Sequence, residues 1–143
     1  MKHFGIAIIL LMALALSACG NSSNNAINGN WTATLTGTQA ISFTATLTQS
    51  GNAVSVTNLS FTTSQSCFDA GATATGGFTL AGTSMGVTTG TFEMTIQTGS
   101  SNTNGTNTLT LQGTLTNNSI SGNWTLSGTG LGCTGSGTFT MTG

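Results

Sequence analysis

Proline, tyrosine and arginine are missing from this chain, and its only charged or titratable side chains besides cysteine are Lys2, His3, Asp69 and Glu93. Each absence excludes something. With Lys2 and His3 both at the extreme amino terminus, nothing downstream can pair a phosphate backbone, so nucleic acid is not an expected partner. Polybasic adhesion to anionic lipid is excluded for the same reason. A Ser or Thr nucleophile needs a neighbouring base, and beyond His3 there is no His or Lys to act as one. Glu93 alternates with Phe92 and Met94 and is expected on an outer face, whereas Asp69 falls in a loop, so the two carboxylates are not expected to work as a hydrolytic pair. No calcium-type ligand spacing surrounds Asp69, and the cysteines have no His or further Cys beside them for a zinc site. The expectation is a non-enzymatic protein with no cofactor and no metal.

Scarcity of charge does not make the chain disordered. Charged residues are 2% and hydrophobic residues 37% of the sequence, with Ser, Thr, Asn and Gly making up the difference. Disordered chains resist collapse through charge and proline, and this one has little of either. Regularly spaced Leu, Phe, Ile, Val and Trp point to a folded core.

At the amino terminus, Met1-Lys2-His3 precedes the apolar run Phe4 to Leu16, 13 residues long. That is the length of a signal-peptide core and too short for a membrane span. The run closes on Leu16-Ser17-Ala18-Cys19-Gly20, which resembles the lipobox of bacterial lipoproteins. The resemblance implies cleavage after Ala18 and attachment of a diacylglyceryl group to the Cys19 thiol, so that lipid holds the mature chain on a membrane. Gly20, where an Asp would favour inner-membrane retention, makes the outer membrane the expected destination. An ordinary secretory signal with Cys19 left as a free thiol is the alternative. Residues 19–28 read as the lipidated cysteine and a polar Gly/Ser/Asn tether, and residues 29–143 as one all-β domain.

Within that domain apolar residues recur at alternate positions, with no sustained helical period. Eight such runs are separated by turn signals at Ser50-Gly51-Asn52, Gly82, Asn104-Gly105 and Asn117-Asn118. In the third run Val54 and Val56 are out of phase with Leu59 and Phe61, which predicts a bulge near Thr57-Asn58. The simplest arrangement is an antiparallel up-and-down barrel of about eight strands, which also removes the edges that Lys and Pro would otherwise protect. A β-sandwich is the alternative. Thr fills the opposite faces, as expected for a β-branched side chain that tolerates water. Ranks such as Thr32-Ala33-Thr34, Thr44-Ala45-Thr46 and Thr108-Leu109-Thr110 raise a remote alternative, binding to ice or another ordered surface, although strand twist opposes a flat match.

Ile27-Asn28-Gly29-Asn30-Trp31-Thr32 recurs as Ile120-Ser121-Gly122-Asn123-Trp124-Thr125. The first copy, Gly29-Asn30-Trp31 on an opening strand, resembles the G-x-W signature of calycins, the superfamily of lipocalins and avidins. That resemblance implies a small apolar ligand inside the barrel. The late Arg that packs over this Trp in calycins has no counterpart here.

Once Cys19 is lipidated, Cys67 and Cys133 remain as an even pair in an exported protein, and a disulfide is expected. In a meander, alternate connections share one end. Cys67 falls between strands three and four and Cys133 between strands seven and eight, which places both at the end opposite the tether. Phe68, Asp69 and Leu131 flank the expected bridge and are the candidate binding residues, with packing around the disulfide as their alternative role. The expectation is therefore a cell-envelope protein held by its lipid anchor, with a binding or structural role through its distal loops. A small apolar-ligand carrier of calycin type is the alternative.

Overall fold

The computed structural model describes residues 25–63 and 66–143 of the chain. The expected signal segment 1–18, Cys19 and the first part of the tether lie outside the described residues. Eight strands follow one another: β1 (Gly29–Gly37), β2 (Ile41–Ser50), β3 (Ala53–Thr63), β4 (Thr73–Ser84), β5 (Val87–Gln97), β6 (Asn107–Thr116), β7 (Ser119–Gly128) and β8 (Gly135–Thr142). Each pairs antiparallel with the next, and β8 returns to β1 with Ala33 opposite Met141, closing the barrel. The chain is thus an up-and-down barrel and not a sandwich, an architecture compatible with that of the calycins.

Period-two alternation explains the wall. Trp31, Ala33 and Leu35 of β1 point inward with Ile41, Phe43, Ala45 and Leu47 of β2, while the intervening Thr and Ser side chains face out. Following the register sideways, Thr79, Thr91, Thr114, Ser121, Thr140, Thr34 and Ser42 form one continuous row of hydroxyl residues around the barrel. A barrel spanning a bilayer would turn an apolar band outward. Among the described residues no helix is long and apolar enough to cross a membrane either.

Glycine lets two large rings pack. Gly90 stands opposite Leu80, and a Cβ there would collide with the Phe78 ring. Gly137 stands opposite Trp124, where a Cβ would collide with the Thr36 carbonyl, the acceptor of the Trp124 indole N–H at 3.0 Å. Gly90→Ala is expected to lower stability by about 1–3 kcal/mol, the usual cost of overpacking, read as a reduced thermal midpoint with an unchanged far-UV spectrum.

The bulge expected near Thr57-Asn58 is present. Thr46 pairs Thr57 and Thr44 pairs Ser60, so Asn58 and Leu59 together face one residue of β2, and Asn58 takes a φ of 51°. At the other end of the reading, the tether was expected to run through Asn28. Instead Ile27 is buried at 1% exposure, the Trp31 indole donates to its carbonyl at 2.8 Å, and the Asn28 side chain accepts from the Gln49 amide. An apolar side chain at the mouth of the barrel is held in the core rather than left in water, so the folded part begins before Gly29.

Candidate functional site

Strand parity puts two kinds of connection at opposite ends. The start of β1, the tight turns after β2, β4 and β6, and Gly143 occupy one end; the connections carrying Cys67 and Cys133 occupy the other. There the two cysteines form a disulfide, with Cα atoms 5.5 Å apart.

Three asparagines stitch the distal loops to it. Asn107, fully buried, donates to the carbonyls of Cys67 and Asn104, both at 2.9 Å, and accepts from the Gly130 amide at 3.0 Å. Asn104 accepts from the Leu131 amide at 3.0 Å and donates to the Leu131 carbonyl at 3.3 Å. Asn102 donates to the Gly105 carbonyl at 2.8 Å. The loops after β3, β5 and β7 therefore form one hydrogen-bonded cap. In sequence Asn104-Gly105 reads as a turn signal only, because an Asn that bridges loops and an Asn that starts a turn look alike there.

The three candidate binding residues separate. Phe68 is buried at 6% exposure and stacked on Phe61, with ring centroids 4.7 Å apart and planes 7° from parallel. Phe61 in turn tilts against Phe43 of the core at 5.4 Å. This is the packing role, and it removes most of Phe68 from the surface. Asp69, partly exposed, accepts from the Gly71 amide at 3.1 Å and the Ser101 hydroxyl at 3.2 Å, tying the β3–β4 loop to the β5–β6 loop. Leu131 remains 91% exposed.

β3 and β4 pair only through Ala53–Ser55 and Gly77–Thr75, whereas every other neighbouring pair zips over at least six residue pairs. From Val56 to Thr63, β3 has ladder partners only on the β2 side. The gap is a cleft of about 440 Å³ between Val56–Leu59 and Ala70–Ala74. It continues into a hollow of about 220 Å³ lined by Leu59, Phe61, Phe68 and Asp69. The Asn58 bulge and its twist turn β3 away from β4, and the Phe61–Phe68 stack fills the space beneath.

Comparison with protein-family models, with curated proteins and with solved structures finds no match.

Chemically the site is poor in acids and bases. Glu93 lies on the outer wall beside Gly77, opposite Gln112, in the middle of β5 and not in the cap loops. Among the described residues no three His, Cys, Asp or Glu side chains gather. The barrel interior is full. A ligand-sized void would leave accessible surface on its lining, yet Trp31, Phe43, Phe78, Phe92, Met94, Trp124 and Phe139 each keep 4% or less.

Proposed function

We propose that this chain is a non-enzymatic lipoprotein of the cell envelope, anchored through Cys19 to the outer membrane, whose distal end binds an extended segment of another envelope protein. The observation that carries the proposal is the open β3–β4 seam. A closed barrel hides its strand edges, and proteins that leave an edge free usually guard it with Lys or Pro; the domain has neither. A free edge beside an apolar cleft can accept an added strand, with main-chain hydrogen bonds for affinity and pockets for selectivity. The half-buried Leu59 and Phe61 supply such pockets, and the cap holds them in place.

Polarity of the molecule supports the same reading. The chain leaves for its lipobox at one end, and the seam opens toward the other. The filled interior counts against a calycin-type carrier, since a small-molecule site needs a cavity of a few hundred Å³. Hydroxyl rows that wrap around a barrel also give no flat face for a crystal surface.

A photoreactive amino acid at Leu59 tests the proposal, with the same probe at Thr125 on the closed wall as control. Irradiated cells should give one adduct at position 59, displaced by excess purified mature protein, and none at position 125. Equal labelling at both positions would count against the seam.

A further inference from the structure

The hairpin between β4 and β5 turns through Met85 and Gly86, whose φ values are 51° and 78°. Two consecutive positive φ angles define the tight turn that favours Asn-Gly. The β6–β7 hairpin puts Asn117 at the first position of its turn, with a φ of 55°. Met at this position crowds its Cβ against the backbone and has no side-chain amide to compensate. Met85 is also wholly exposed, and Val87 beside it is 37% exposed; among the described residues the other large exposed hydrophobic side chain, Leu131, is at the opposite end. A flexible apolar side chain thus occupies a conformationally unfavourable tip where Asn would be at ease and soluble.

The tip lies where the chain departs for the anchor. Asn25 and Ala26, the first described residues, line with Leu80, Thr83, Gly86 and Thr88 a hollow of about 540 Å³. Asn25 lies six residues after Cys19, and at random-coil scaling a chain of that length would span only roughly 12–15 Å. Asp69 is at the far end and Glu93 lies mid-wall, so among the described residues no charged side chain at this end would resist approach to a bilayer.

We propose that Met85, with Val87 behind it, inserts into the lipid surface beside the acyl anchor and stands the barrel upright with its seam away from the membrane. The inference rests on the anchor reading, but its test supplies the anchor chemically. With Cys67 and Cys133 bridged, Cys19 is the one thiol left for a thiol-reactive reagent bearing a single 14-carbon chain. One such chain gives only marginal, reversible binding, so a second contact is measurable. Partition of this adduct, made from the chain from Cys19 onward, into neutral phosphatidylcholine vesicles should weaken about 10-fold in Met85→Asn, the effect of withdrawing one apolar side chain from lipid. Asn suits the turn, so the variant keeps its fold, and Leu131→Asn at the opposite end should partition like the parent. Equal partition of Met85→Asn and parent, or an equal loss in Leu131→Asn, would overturn the proposal. Neither result bears on whether the native chain is acylated.

Discussion

Removing the Cys67–Cys133 bridge, by reduction or in the Cys67→Ala, Cys133→Ala double variant, is expected to lower stability by about 4 kcal/mol. The bridge joins residues 66 apart, and a loop of that length costs about that much unfolded-state entropy when closed. Small domains have only about 5–15 kcal/mol in all, so the open-chain form should unfold at markedly lower denaturant. The denaturant slope should rise as well, because the uncrosslinked unfolded chain exposes more surface. Denaturation by guanidinium with and without reductant reads both. An unchanged midpoint would mean that the cap contributes little to holding the barrel closed.

Asn107→Leu is the second large effect expected. The substitution keeps approximate volume but takes from the Cys67 carbonyl the nearer of its two donors, Asn102 remaining at 3.4 Å, and leaves the Asn104 carbonyl and the Gly130 amide without the partner that Asn107 supplies. A buried group left unpaired costs about 1–3 kcal/mol, so a total of about 3–5 kcal/mol is expected from equilibrium unfolding. The two effects should not add. Asn107 holds the carbonyl of Cys67 itself, so the triple variant should lose less than the sum, as neighbours sharing one network do. Local opening measured by amide hydrogen exchange should spread first through Asn102–Asn107 and Gly130–Cys133.

The strands, their order and the disulfide were legible because each follows from a strictly local or topological rule. Alternation in Trp31-Thr32-Ala33-Thr34-Leu35 gives a face, and parity of a meander then sends Cys67 and Cys133 to one end. The Asn58 bulge was legible too, since Val56 and Leu59 cannot share a face without an extra residue between them. Features that depend on packing between distant segments were not. Nothing local distinguishes a Phe68 that stacks on Phe61 from one displayed on a loop, and burial decided it. Ile27, read as tether, is buried with the core, and its carbonyl takes the Trp31 indole N–H. There the calycin pattern diverges: where that family packs an Arg over its Trp, this chain brings Gly143 against the indole and Ile27 to its N–H.

The seam was the least legible element of the candidate site. It is defined by hydrogen bonds that do not form between β3 and β4, and an interrupted ladder leaves no residue pattern of its own. The Asn58 bulge is its one sequence signal; Gly76 and Gly77 pair with Val54 and Ala53, in the part of the ladder that does form.

Lipid on Cys19 is the premise on which the proposed role depends most. Intact-mass measurement of the protein extracted with detergent from the membranes of its own cells tests this directly. A mass equal to Cys19–Gly143 with one disulfide plus diacylglyceryl and acyl groups is expected. A polypeptide recovered from the soluble fraction at the mass of an unmodified chain would contradict it.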